Sequence, residues 1–518
     1  MFAPAAGVVA GAQAFRTLLA SASGRWPGFA GSASTGRLSG AMAKLIGLDV
    51  GTSSLKGLAI DENGALLREA ERDYPFATPQ PGWAEQDPEL WWAAAEAVIE
   101  ELGAGDADGI GLAGQMHGLV ALGADDRPLR PAILWNDGRS QHETALIEER
   151  VGVERLIELS GNRALAGFTA PKLLWLATHE PEVYERINRV LLPKDYVRLR
   201  LCGEHATDVS DASGTLLFDV AARGWSSELL AALDVPAQWL PVALESPVCS
   251  GVTAAGVPVA AGAGDQAAGA LGVGVIDQQG PASVVLGTSG VVFAARERYS
   301  ADGTLHSFCH AVPSVWHVMG VMLSAAGSLR WLHDVLGGER GFPALLEEAA
   351  SWEPGVEGLL FAPYLAGERT PYADADARGA FVGLSLRHDR GALVRAVLEG
   401  VAFALRDCFD LVAANGGAPT RARVSGGGSR GDLWLTILAA VLDLALERTA
   451  VDAGAAYGAA LLGGVASGVF ADPREAVEAC VRASEIVEPD PELSAAYTQL
   501  RPSFVALYPA LAGLRDLG

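Results

Sequence analysis

One short pattern occurs twice, once in each half of the chain: an apolar run, a Gly-Thr-Ser turn, and a second apolar run. In the first half, residues 45–50 lead through Gly51, Thr52 and Ser53 into 55–60. In the second, a run from Ala282 leads through Gly287, Thr288 and Ser289 into a run that reaches Phe293. Short apolar runs joined by a glycine turn read as strands of a hairpin. A chain of 518 residues is too long for one ordinary core, so two large domains are expected, each opening on such a hairpin. A match of half a dozen residues does not establish a duplication by itself.

The rest of the chain fits an alternation of strands and helices. Asp61-Glu62-Asn63-Gly64 is a turn, and Asp87-Pro88-Glu89 supplies an N-cap, a first-turn proline and an early acid for a helix that reaches Gly103. Residues 109–113 read as a buried strand that delivers Gly114-Gln115-Met116-His117-Gly118 to its C-terminal end, where ligands collect in α/β folds. Residues 129–139 read as another strand, Pro171 as the start of a helix carrying Lys172 and Trp175, and 200–245 as an irregular, turn-rich cap. Residues 257–263 resume the strand pattern with Asp265 at its tip. In the second half, helices are expected near 326–336 and 391–414, and a strand from Ala422 runs into the Gly426-Gly427-Gly428 loop and a helix from about Asp432. The uncharged, glycine-rich stretch 453–471 reads as a packed interior helix, not a membrane span.

Composition removes several functions. A formal net charge of −24 argues against a nucleic-acid or anionic-membrane surface, so any phosphate must be held locally by backbone N–H groups and a metal ion. The four lysines, Lys44, Lys56, Lys172 and Lys194, include none in a G-x-x-x-x-G-K-[ST] setting, which excludes a P-loop. Five scattered cysteines without a C-x-x-C pair fit a reducing cytoplasm and offer no metal site. Residues 1–42 lack Asp, Glu and Lys. They read as a disordered or mis-started extension, with Met42 as the working start, or alternatively as an organellar targeting peptide.

Glycine turns expose consecutive N–H groups and admit a phosphate, with Thr and Ser adding hydroxyls. Two of them facing each other would clamp a polyphosphate. Asp49, beside the first, would hold Mg²⁺ through water, and the Gly426 to Gly428 loop would support a nucleoside. Asp265 lies among glycines and alanines; it reads either as a turn or N-cap residue, or as the base that takes a proton from an attacking hydroxyl while a γ-phosphoryl group moves to it. Met116 and His117 would bind the hydroxylated acceptor, although from spacing alone a satisfied core residue is the better reading of such a histidine.

These residues together resemble the FGGY carbohydrate kinases, of the actin/hexokinase/chaperone ATPase fold, over nearly all of 44–470. Gly47-Leu48-Asp49-Val50-Gly51-Thr52-Ser53 is similar to the family's first phosphate motif, Gly287-Thr288-Ser289-Gly290 to its second, and Ser425-Gly426-Gly427-Gly428-Ser429 to its adenosine motif. Residues 168–176 look like a family signature, while 114–118, 133–139, 308–313 and 367–371 resemble its pentulose-phosphorylating members. The resemblance implies an α/β protein of two ribonuclease-H-like domains, 43–275 for sugar and catalysis and 276–518 for nucleotide, with an interdomain cleft. It further implies ATP and Mg²⁺, transfer to the 5-hydroxyl of D-xylulose, and a cytoplasmic enzyme, compatible with a homodimer, whose partners are small molecules. Asp265 would be the base, Met116, His117 and Gln266 acceptor ligands, and Asp49 the metal-associated carboxylate. Gln266 departs from the Asn frequent in those members by one methylene. A kinase for ribulose, a deoxyketose or glycerol, and a catalytically silent sugar sensor, remain as alternatives.

Overall fold

The computed structural model describes residues 42–451 and 453–515; apart from Met42, the expectations for residues 1–42 lie outside them. The two Gly-Thr-Ser hairpins open two sheets of the same plan. In the first, β1 (Leu45–Val50), β2 (Ser54–Ile60) and β3 (Leu66–Asp73) form an antiparallel meander. On the other side of β1, β4 (Gly109–Gly114) pairs in parallel; of the strands β5 (Cys249–Val252), β6 (Pro258–Ala260) and β7 (Ala263–Gly264), β6 and β7 run parallel to β4, and β5 forms the edge, antiparallel to β6. In the second sheet, β8 (Ala282–Leu286) and β9 (Gly290–Arg296) are antiparallel, β10 (His306–Cys309) and β11 (Trp316–Met322) extend that side, and β12 (Arg421–Ser425) lies parallel to β8. β13 (Ala445–Thr449) and β14 (Ala483–Val487) complete it. Each sheet therefore has a central strand flanked by an antiparallel hairpin on one side and a parallel strand on the other, with seven strands among the described residues. The repeat that was thin in sequence is clear in topology.

The helices follow local signals closely. α1 (Pro88–Leu102) is capped by Asp87, which accepts from Glu89 N at 3.0 Å, and ends on Gly103 at φ 65°. The elements used below are α2 (Thr169–His179), α3 (Pro193–Cys202), α4 (Asp265–Gly272), α5 (Ala326–Val335), α6 (Arg390–Ala414), α7 (Asp432–Leu442) and α8 (Gly454–Ala466). The expected strand over 129–139 is reduced to Ala132–Ile133. The backbone beyond it is held by side chains instead: Ala84 N donates to Asp137 Oδ2 at 2.5 Å, and Arg139 bridges Asp137 and Glu85.

α8 is the uncharged stretch, and it is buried. It follows β13 in sequence yet packs on the first sheet, so closely that a Cβ at Gly47 or Gly111 would stand 1.8 Å from the carbonyl oxygen of Ala456 or Ala459. Gly458 meets Ala268 of α4 at a similar 1.9 Å. Only small residues allow two backbones to approach this far. No helix among the described residues is long and apolar enough to cross a membrane.

Candidate active site

The register of the first sheet brings three strand ends to one level. Val50 of β1 and Gly264 of β7 both lie opposite Gly114 of β4. The residues that follow, Gly51, Gln115 and Asp265, emerge along one edge, and Gln115 N donates to Val50 O at 2.9 Å. Asp265 is the first residue of α4, with Gly264 before it, and its Oδ1 accepts from the N–H of the next helix residue, Gln266, at 2.7 Å. A helix N-terminus favours carboxylate. Burial wins here, and together with the charge of Asp49 it pushes the Asp265 carboxyl up to about 7. An N-cap role leaves that burial unexplained, whereas a base working near neutral pH needs it.

Asp49 is raised by burial to about 6, opposed by Lys56, which faces it across β2. Its Oδ1 is buried without a protein partner. Among the described residues no cluster of three or more His, Cys, Asp or Glu forms a metal cage. A single orphaned carboxylate suits Mg²⁺, which keeps most of its waters and takes its other ligands from substrate phosphates.

The acceptor side is built on β4's continuation. Met116 lies against the strand that leads into Asp265: a Cβ on Gly264 would fall 2.9 Å from its Sδ. His117 has φ 69°, uncommon for a side chain of its size. Its carbonyl is gripped by Thr169 Oγ1 at 3.1 Å and Lys172 Nζ at 2.9 Å, both from α2. Lys172 also donates to Gly167 O at 2.6 Å, and burial lowers its amine to about 7. The ring packs edge-on to Phe168 and its Nδ1 lies 2.7 Å from Gly214 O. A carbonyl only accepts, so Nδ1 carries the proton and Nε2 is an acceptor. Burial lowers this imidazole to about 3, which keeps it neutral. The core-histidine reading thus holds for one nitrogen and leaves the other for a hydroxyl.

On the nucleotide side the two turns differ. Thr52 Oγ1 donates to Gln115 Oε1 at 3.2 Å and accepts from Trp135 Nε1 at 3.0 Å, so its hydroxyl already has partners and braces the loop. The second turn is stapled to the start of α5: Ala326 N donates to Gly287 O, and Ala325 N to Thr288 O, each at 2.8 Å. A cavity of about 650 Å³ is lined by Asp49, Lys56, Val285, Gly426 and Gly427. A second, of about 640 Å³, lies between Gly287 and Thr288, Gly327 of α5, Phe342, Gly428 and Trp434. Gly427 and Arg430 line both. The second cavity is the more apolar and offers glycine backbone to a flat heterocycle. Gly51, Thr52, Ser53, Ser289, Met116, His117, Gln266 and Asp265 line neither cavity. Sequence reading missed Phe342, Trp434 and the start of α5, which are apolar or small residues with no motif; Gly214 also gave no local signal, while Thr169 lies within the signature stretch 168–176 without its contact to His117 being legible.

Comparison with known proteins agrees with this geometry. The N-terminal domain of the FGGY family of carbohydrate kinases matches residues 44–272 and its C-terminal domain 282–467. A xylulose kinase from Escherichia coli (strain K12) is 43% identical over 488 residues, covering 90% of this chain and 99% of that protein. One from Klebsiella pneumoniae is 42% identical, with 90% and 99% covered. The crystal structure of a xylulose kinase from Rhodospirillum rubrum superposes with a TM-score of 0.84 at 32% identity, covering 91% of this chain and 99% of that one. The two matched domains, the repeated sheets and the relatives aligned over nearly their whole length lead to one conclusion: the chain belongs to the FGGY family of carbohydrate kinases.

Proposed function

We propose that this chain transfers the γ-phosphoryl group of ATP to the 5-hydroxyl of D-xylulose. The observation that carries the reading is the convergence of Asp49, His117 and Asp265 at neighbouring strand ends, in a chain whose full-length relatives are xylulose kinases. Asp265 takes the proton of the 5-hydroxyl as its oxygen bonds to phosphorus and the bond to the leaving ADP oxygen breaks. Such transfer depends on positioning and charge stabilisation. His117 Nε2 accepts a hydrogen bond from a sugar hydroxyl, Met116 packs against the carbon chain, and the Gln266 amide contacts the hydroxyls beside the base. The Gly51 N–H closes its own turn on Ser54 O at 3.0 Å, so in the Gly51 to Ser53 turn it is the N–H groups of Thr52 and Ser53 that would meet the phosphates together with the Gly287 to Ser289 turn, and Gly426 to Gly428 support the nucleoside. Asp49 would hold Mg²⁺ through water, and the ion would offset phosphate charge.

The sugar-binding half comprises residues 43–275 and the nucleotide half 276–518. Closure of one on the other would exclude the water that competes for the phosphoryl group. The free cysteines among the described residues suit a reducing cytoplasm. A coupled assay of ADP release across D-xylulose, ribulose, deoxyketoses and glycerol tests the reading. D-xylulose should give the highest kcat/KM; preference for another acceptor overturns the substrate, and absence of ADP release with any sugar overturns the activity.

A further inference from the structure

The segment 206–215, which sequence reading leaves in an irregular cap, runs directly behind the acceptor site. Gly264, the residue before Asp265, donates its N–H to Ser210 Oγ at 3.1 Å. Ser210 Oγ donates in turn to Asp208 Oδ2 at 2.5 Å, an oxygen that also accepts from Ser210 N and Ser246 Oγ, each at 2.8 Å. Four residues on, Gly214 O holds the His117 ring. One short turn therefore touches the backbone of the base and the side chain of the acceptor ligand.

What anchors this turn is charge with no access to water. Lys194 Nζ of α3 lies 2.7 Å from Asp195 Oδ1, 2.9 Å from Asp208 Oδ1 and 3.2 Å from Asp211 Oδ2. Arg198 reaches Asp195 Oδ1 at 3.3 Å, and none of these side chains is more than 1% exposed. Three carboxylates face two cations. Burial pushes the Asp211 carboxyl well above its usual range, with Asp195 and Asp208 adding to the rise against Lys194. A buried ionic cluster is a poor way to gain stability, since apolar side chains of the same volume do as well. It does, however, tie α3 to this segment, through Asp208 and Asp211. The Lys194 side chain also packs on the end of β4, where a Cβ at Gly114 would lie 3.1 Å from its own Cβ.

We propose that Ser210, fixed by the buried Lys194–Asp208 pair, is a positioning residue for phosphoryl transfer: it sets the start of α4 and thereby the angle at which Asp265 meets the acceptor hydroxyl. This rests on Asp265 being the base. A small displacement of a base costs rate without loss of substrate affinity. Ser210→Ala should lower kcat with D-xylulose by about tenfold or more and leave KM for ATP within about twofold, and Ser210→Thr, which keeps the oxygen, should recover most of the loss. The proposal is overturned if Ser210→Ala keeps kcat within about twofold of the parent, or if its KM for ATP rises by the same factor as kcat falls and Ser210→Thr restores nothing. Should Ser210→Ala fail to fold, Ser246→Ala removes one donor from the same carboxylate without touching Gly264. It must then show the same split at about threefold, and an unchanged kcat overturns the proposal. A parent enzyme without D-xylulose turnover would instead sink the functional reading, so that failure is read from the parent and the other from the ratio of variant to parent.

Discussion

Replacing Asp265 with Asn should slow turnover severely and make the folded protein more stable, and both effects come from the same buried carboxyl. The carboxyl sits at about 7 in the folded protein and at 3.8 in an ordinary aspartate. It holds its proton more tightly when folded, so its stabilising contribution is complete below pH ~4, declines as pH rises, and is lost by pH ~7. Above that, the fold carries a buried charge. The difference corresponds to at most ~4 kcal/mol, and to about half of that after allowance for the exposure Asp265 keeps at the cleft. Asn has no such charge and can still accept from Gln266 N, the bond Asp265 makes at 2.7 Å. Asp265→Asn should therefore melt a few degrees above the parent at pH 8, with a gap that narrows toward pH 5. Its kcat should fall by about 10²–10⁴-fold while D-xylulose binding persists. Differential scanning calorimetry without ligands at both pH values, a coupled ADP assay and titration calorimetry with the sugar read the three quantities. Turnover close to the parent's would refute the base. A melting gap that is flat with pH, or reversed, would refute the electrostatic argument even if the rate falls.

Two further substitutions separate the halves of the site. His117→Asn keeps a residue that tolerates φ 69° but removes the Nε2 acceptor, and should raise KM for D-xylulose by about tenfold with KM for ATP unchanged in steady-state assays. Equal changes in both constants would point to a structural role for the ring. Gly426→Val places a branched side chain at φ 87°, with a Cβ 2.8 Å from the Leu286 carbonyl oxygen. It should raise KM for ATP by an order of magnitude or more and leave sugar binding intact by calorimetry; normal ATP affinity would remove the Gly426 loop from the nucleotide site.

Much of this architecture is written in short-range signals. Apolar runs broken by glycine turns located β1, β2, β8 and β9, and the Asp87 and Gly103 caps located α1, because strand alternation and capping are settled within a few residues. The absence of charge over α8 announced its burial. Where long-range partners decide, the signal fades. Around residues 132–139 the backbone is held by Asp137, Arg139 and Glu85 instead of by a sheet ladder, and nothing in the local pattern distinguishes that from a strand. Segment 206–215 looks like a polar loop because its serines and aspartates belong to loops in most chains. Its partners Lys194, Gly264 and His117 are remote in sequence, and only the fold brings them together. The apolar residues beside Gly428 are likewise indistinguishable from core until the cavity they line is seen.

The placement of the base follows from the same distinction. A carboxylate at the start of a helix in open solvent would be held down by the helix dipole and would be too weak a base near neutral pH. Asp265 escapes this because α4 is pressed between the end of the first sheet and α8, a helix that arrives from the second half of the chain. Gly458 on Ala268 closes that contact backbone to backbone, where a Cβ would stand 1.9 Å from the Ala268 carbonyl oxygen. The glycines of 454–466 let α8 lie directly on α4, and burial together with the charge of Asp49 lifts Asp265 toward 7. Meanwhile Ser210 holds Gly264, the residue that precedes α4. Burial tunes the proton affinity and the Ser210 bond sets the direction, and the two come from separate parts of the chain that can be altered independently.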